Sequence, residues 1–126
     1  MKGKLLSCCL SRGDVVAIYM PVSPLAVATM LATARLGAVH TVVFAGFSAE
    51  ALGDRVRDSG AKVIVTADEA VRGGRKIALK TTVDKAMESC PGVEKVFVMQ
   101  RTGAQITMGP KDVFLEEVFT TNVVLV

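Results

Sequence analysis

Apolar and polar positions along this chain follow two alternating rhythms. Four short runs, Val15 to Tyr19, Val39 to Phe44, Lys62 to Ala67 and Lys95 to Met99, are rich in β-branched residues and nearly continuous in apolar character. They recur at roughly 25 to 30 residues, the length of one strand-and-helix unit. Segments of helical length lie between them. Alternation of this kind, with strands apolar on both faces, predicts an α/β fold in which a parallel sheet is joined by right-handed crossover helices.

The helices are punctuated. Ser23 as N-cap and Pro24 at the first helical position start one, and Gly37 stops it. From Leu25 to Leu36 it is apolar almost all round, with a single Arg35, so it is expected to be buried on every side. One helical layer on a sheet does not achieve that, and the piece is expected to sit inside something larger. A second helix runs from the cap Ser48 to Gly60, with Asp54, Arg57 and Asp58 on its wet face. A third, about Ala78 to Ser89, carries Leu79, Val83, Ala86 and Met87 at core spacing and stops before Cys90-Pro91-Gly92. Past Met99 the rhythm weakens: Arg101 to Pro110 reads as a turn or hairpin, and Val113 to Phe119 as a last short helix.

Residues 1–12 and 119–126 are set apart as atypical ends around a partial domain at 13–118. The tail closes on Val-Val-Leu-Val, an unpaired apolar strand, and the start carries Cys8-Cys9. Neither end is expected where an intact domain would place it. The basic start followed by Leu5 to Leu10 imitates a signal peptide without a convincing cleavage site, so secretion is not expected.

Composition narrows the class. With 126 residues and 51% hydrophobic content the chain has material for one core, built from small aliphatics, since aromatics are only 5%. The longest nearly apolar stretch, Leu25 to Ala34, is about half the ~20 residues a membrane helix needs, so no membrane association is expected. The three cysteines, Cys8, Cys9 and Cys90, lack ligand spacing with the single histidine, His40, which points to a reducing compartment and no metal site. A net charge of +3 is mild, and the basic residues gather only at Arg72, Arg75, Lys76 and Lys80. That favours a local anion site over a nucleic-acid surface.

Ligand sites in open α/β sheets lie at the carboxyl ends of the strands. After the first strand stand Met20-Pro21-Val22-Ser23-Pro24, with no Gly-x-Gly-x-x-Gly turn, and no Gly-Lys-Ser/Thr loop occurs anywhere. His40 reads as a strand histidine hydrogen-bonded in or near the core. Asp68-Glu69 closes the third strand, and a helix-cap or Arg-orienting role is preferred for the pair over acid/base or metal chemistry. No catalytic residue set is assembled. Phe44-Ala45-Gly46-Phe47-Ser48 is either a tight turn with both rings in the core or a backbone surface that a slender ligand approaches. Val71-Arg72-Gly73-Gly74-Arg75-Lys76 is either a solvated turn or an anion clamp. Its two guanidinium forks flank backbone that can come close to a ligand.

Gly13 to Pro21, Ala34 to His40, Val43 to Glu50 and Val71 to Arg75, taken in order and spacing, resemble the AMP-forming acetyl-CoA synthetase branch of the adenylate-forming superfamily. The resemblance covers residues 13–118, and the stretch Met20 to Val27 with the Phe-Ala-Gly-Phe form is most similar to the vertebrate mitochondrial branch. It implies part of the large N-terminal domain of a two-step ligase. Acetate attacks ATP to give acetyl-adenylate and pyrophosphate, and the CoA thiol then displaces AMP.

By the same resemblance, Arg72, Gly73, Gly74 and Arg75 hold the phosphates at the 3′-phospho-ADP end of CoA, and Phe44, Ala45, Gly46 and Ile77 line its path. Many members carry Gly-Gly where this chain has Ala45-Gly46, and the added methyl narrows that approach. The sites for ATP, magnesium and the acyl group lie outside this chain, so the chain alone is expected to be inactive. Its implied partners are small molecules and the rest of the enzyme. The implied location is the mitochondrial matrix, with the cytoplasm as the alternative. Two other readings stand beside this one: a non-catalytic CoA-binding or regulatory module, and a segment of a propionate-preferring relative.

Overall fold

The structure is a computed structural model that describes residues 10–119, with side chains through 117. Cys8, Cys9 and the tail from Thr120 to Val126 lie outside the described residues. In chain order the elements are β1 (Val15–Tyr19), α1 (Pro24–Arg35), β2 (Val39–Val42), α2 (Ala49–Ser59), β3 (Val63–Ala67), β4 (Glu69–Arg72), β5 (Arg75–Ala78), α3 (Leu79–Met87), β6 (Lys95–Met99), β7 (Asp112–Phe114) and α4 (Leu115–Phe119).

Five strands form one parallel sheet in the order β2-β1-β3-β6-β7, and β4 and β5 form a separate antiparallel hairpin. Because successive strand side chains point to opposite faces, β1, β3 and β6 each feed two cores. Ala17, Tyr19, Ile64, Val96 and Val98 face α2 and α3, with Leu52, Val56, Leu79 and Val83. Val16, Ile18, Val63, Val65 and Phe97 face Ala26 of α1 and Leu115 of α4. Cover on both faces is why these strands read as unbroken apolar runs. The crossover through α1 lies on one face and that through α2 on the other, which makes the sheet doubly wound about β1 and β3.

The helix punctuation operates as the residues predict. Ser23 Oγ accepts from the Ala26 N–H at 3.2 Å, and Ser48 Oγ from the Ala51 N–H at 3.2 Å. Gly60 ends α2 at φ 67, a left-handed conformation that glycine takes without a Cβ penalty.

Helix α1 is buried along Ala26, Thr29 and Thr33, while Val27 is 48% and Leu31 61% exposed. It packs on the sheet with one side, and among the described residues no second layer covers the other. Its buried threonines are satisfied by donating to carbonyls one turn back, Thr29 to Leu25 at 2.8 Å and Thr33 to Thr29 at 2.7 Å. His40 is exposed, not in the core, because β2 is an edge strand. The end of the chain predicted as Val113 to Phe119 helix begins as strand β7, paired with β6 through Phe97 and Val113. A strand of three residues is too short for its period to show. The Arg-Gly-Gly-Arg segment is the tip of the β4–β5 hairpin.

Candidate functional site

Four features converge at the carboxyl edge of the sheet: the end of β1, the turn after β2, the hairpin after β3 and the stretch after β6. The hairpin is organised by its glycines. Gly73 and Gly74 both have positive φ, 57 and 76, the pattern of the two-residue turn whose twist matches a hairpin. A Cβ on either would meet nothing within 4 Å, so conformation and not crowding requires glycine here.

That turn places Arg72 directly opposite Arg75. One step nearer the base on the same face stand Ala70 and Ile77, also directly paired, with Ala70 buried and Ile77 packed against the core. The two arginines therefore leave the hairpin on its inward face, beyond the point where the core ends, and both are exposed. Two like charges opposed across strands disfavour each other. An anion between them relieves that repulsion and accepts from both forks.

Phe44 is 54% exposed, and the Arg72 guanidinium lies 5.1 Å from its ring centre. Phe47 meets Phe44 edge-on at 5.8 Å, and Arg55 of α2 lies 4.8 Å above the Phe47 ring. A Cβ on Gly46 would stand 2.6 Å from Phe44 Cε1, so glycine there lets the ring lie against the backbone. Ala45 packs against the core cluster. Beneath the turn the Tyr19 hydroxyl donates to the Phe47 carbonyl at 2.8 Å, with the Ala45 carbonyl at 3.2 Å. Burial raises the Tyr19 pKa above its ordinary value, which keeps the phenol a donor.

The structure thus brings Arg72, Gly73, Gly74, Arg75, Phe44, Ala45, Gly46 and Ile77 to one edge. Two residues of the presumed basic group behave differently. Lys76 points with Val71 to the hairpin's other face. Lys80 is 1% exposed and bound to Asp112 at 2.8 Å, to Asp84 at 2.5 Å and to the Thr107 carbonyl at 2.8 Å. Burial by itself would lower the Lys80 pKa, but the two carboxylates outweigh it and raise the value. It is a buried structural cation.

The side chains of Asp68 and Glu69 neither cap a helix nor orient an arginine. Asp68 is 1% exposed, and its carboxylate accepts from the backbone N–H groups of Glu69 (2.7 Å), Arg101 (2.9 Å), Thr102 (3.2 Å) and Ala104 (3.1 Å). Glu69 Oε1 accepts from the Thr102 hydroxyl at 2.5 Å. Burial alone would raise the Asp68 pKa, but those N–H groups together hold it below the ordinary carboxylate value.

A depressed folded-state pKa contributes stability that is present above the unfolded value of ~3.9 and is lost as pH falls through the folded one. Asp68→Asn is therefore expected to be less stable than the parent chain by about 1 to 3 kcal/mol at pH 7. The gap should narrow as the pH approaches 3, read from urea unfolding midpoints. A gap of constant size would show that the charge is not what the loop binds.

An apolar cleft of about 300 Å³ lined by Val56, Gly60, Cys90, Pro91 and Val93 lies at the amino ends of β3 and β6, away from the hairpin. Among the described residues no group of three or more His, Cys, Asp and Glu is placed to hold a metal, and no helix is long and apolar enough to cross a membrane.

Fold and geometry together define a doubly wound α/β domain with an arginine-bearing hairpin at its carboxyl edge. A family model described as AMP-binding enzyme matches residues 4–116. The chain belongs to the AMP-binding enzyme family. It is 58% identical over 106 residues to the acetyl-coenzyme A synthetase 2-like, mitochondrial, protein of Homo sapiens, covering 84% of this chain and 15% of that protein. It is 54% identical over 107 residues to the acetyl-coenzyme A synthetase of Halorhodospira halophila, covering 84% of this chain and 17% of that protein. Among solved structures, the acetoacetyl-CoA synthetase from Streptomyces lividans superposes with a TM-score of 0.86 at 25% identity, over 99% of this chain and 19% of that one. The chain thus spans 15 to 19% of the length of these proteins.

Proposed function

We propose that this chain is part of the N-terminal domain of an AMP-forming acetate–CoA ligase, and that its share of the work is to hold CoA. In the complete reaction an acetate oxygen attacks the α-phosphorus of ATP and expels pyrophosphate. The CoA sulfur then attacks the acetyl carbon and expels AMP. No residue described here acts on those bonds, and ATP, magnesium and acetate are assigned to parts of the ligase beyond this segment.

Arg72 and Arg75 act as a fork for the phosphates at the 3′-phospho-ADP end of CoA. The observation that carries this reading is their direct opposition across the Gly73-Gly74 turn, with the Arg72 guanidinium 5.1 Å from the ring centre of the exposed Phe44. That cation–π contact favours one position of the guanidinium before the ligand arrives, which lowers the ordering cost of binding. Phe44, Ala45, Gly46 and Ile77 supply the apolar edge along which the rest of CoA runs. The mitochondrial matrix is the location that accompanies this reading, on the printed name of the human relative. The bacterial relative is nearly as similar, which keeps the cytoplasm as the alternative.

The test is an amide NMR spectrum of the 126-residue chain with and without CoA. Dispersed signals that shift at residues 44–47 and 72–75 are expected. Shifts confined to other residues, or a dispersed spectrum that ignores millimolar CoA, would remove the fork from the CoA site.

A further inference from the structure

The hairpin that carries Arg72 and Arg75 is held at its base by two buried charges, and both grip the same stretch of chain. Asp68 directly precedes β4, and Lys80 is the second residue of α3, which follows β5 without a break. The Lys80 N–H donates to the Asp68 carbonyl at 3.2 Å, closing the base of the hairpin between its two feet. From the first foot, Asp68 takes the N–H groups of Arg101, Thr102 and Ala104. From the second, Lys80 takes the Thr107 carbonyl and Asp112, whose other contact is the Gly109 N–H at 2.7 Å. The irregular segment between β6 and β7 is thus tied across the base.

Charges this deeply buried are costly to leave unmatched, so the set of bonds has one favourable arrangement and resists tilting. The lever matters because the arginines stand far from the pivot. A strand arm of four residues is about 14 Å long at ~3.4 Å per residue. A tilt of about 10° at the base moves the guanidiniums by about 2 Å, enough to break hydrogen bonds that need about 2.8 Å.

We propose that Asp68 is a positioning residue for the Arg72/Arg75 fork: through the N–H groups of residues 101–104 it sets the hairpin angle, and hence the recognition of a ligand's terminal phosphate. This rests on the CoA reading above. The readout that separates positioning from general structure is discrimination between CoA and dephospho-CoA, which lacks the 3′-phosphate. A change that merely loosens the fold weakens both ligands alike. A change that swings the fork weakens CoA more than dephospho-CoA, because the latter lacks one of the phosphates the fork holds.

The experiment measures both affinities by calorimetric titration for the full 126-residue chain and three variants, Asp68→Asn, Thr102→Val and Arg72→Ala with Arg75→Ala, each checked for a dispersed amide spectrum. Thr102→Val removes the hydroxyl's links to Glu69 Oε1 at 2.5 Å and to Asp68 Oδ2 at 3.4 Å but keeps both buried charges and the backbone N–H groups, so it reports even if Asp68→Asn does not fold. The parent chain is expected to prefer CoA. Asp68→Asn should lose about tenfold of that preference and Thr102→Val about threefold, with dephospho-CoA affinity falling less than CoA affinity in each.

Parent-like preference in both folded loop variants, with preference lost in the arginine variant, overturns the positioning role and leaves the CoA reading standing. Parent-like preference in Thr102→Val alone overturns it equally if Asp68→Asn is unfolded. No preference in the parent chain overturns both.

Discussion

Replacing Arg72 and Arg75 together by alanine is expected to weaken CoA binding about a hundredfold while leaving the fold as stable as before. A charge-assisted hydrogen bond contributes about 1.5 to 3 kcal/mol. The guanidiniums are exposed, so the lower end applies, and two such contacts come to about 3 kcal/mol, or about a hundredfold. Stability should not follow, because the exchange removes a like-charge pair from directly opposed positions on the hairpin and takes nothing from the core. In an intact ligase carrying this segment, acetate-dependent ATP–pyrophosphate exchange should stay unchanged while the CoA concentration needed for turnover rises. Equal loss of exchange and turnover would mean that the fork acts in adenylation or in folding. Arg72→Lys is the finer probe: it keeps the charge but gives up the guanidinium's place over the Phe44 ring and the two-pronged geometry, and should fall between parent and double variant.

The largest effect on stability is expected from Lys80→Met. Methionine fills a similar volume, but it strands Asp112, whose side chain is 9% exposed, together with the Thr107 carbonyl. Breaking one half of a buried ion pair costs about 3 to 5 kcal/mol, a large share of the ~5 to 15 kcal/mol that holds a small domain together. Urea unfolding should show the drop directly. Adding Asp112→Asn to the same chain should recover part of it, since the remaining group then carries no charge. A loss below about 1 kcal/mol in the single variant would mean that the ammonium is hydrated and not enclosed. The sign with pH is also set. The folded Lys80 pKa is raised, so its contribution is complete below the ordinary lysine value of ~10.4 and is lost only as pH climbs through the folded one.

Elements whose cause is local were legible along the chain. Strands β1 and β6 have the limits that their apolar runs predict, and the caps at Ser23, Ser48 and Gly60 sit where their side chains, or the lack of one, require. The apolar side chains that feed the two cores were also readable, because burial on both faces leaves a continuous signature. The lysine at position 80 was misread with the basic residues around the arginines. Its helical spacing to Asp84 was in view, but Asp112 meets it only through β7, and so the sequence neighbourhood alone pointed to the wrong role.

What the sequence by itself determined, then, is the α/β alternation, the placement of most helices and strands, the family likeness and the Arg72-Gly73-Gly74-Arg75 turn. Each depends on neighbours within a few positions, where periodicity, capping and turn chemistry act. Only the tertiary structure decided that β2 is an edge that leaves His40 exposed, that Arg72 and Arg75 oppose each other on a hairpin over Phe44, and that Asp68 and Lys80 clasp residues 101–107. Those facts arise from contacts between residues some 30 positions apart, such as Asp68 with Thr102 and Lys80 with Asp112. Burial makes such contacts strong by removing competing water, and burial is a property of the packed chain, not of any segment of it.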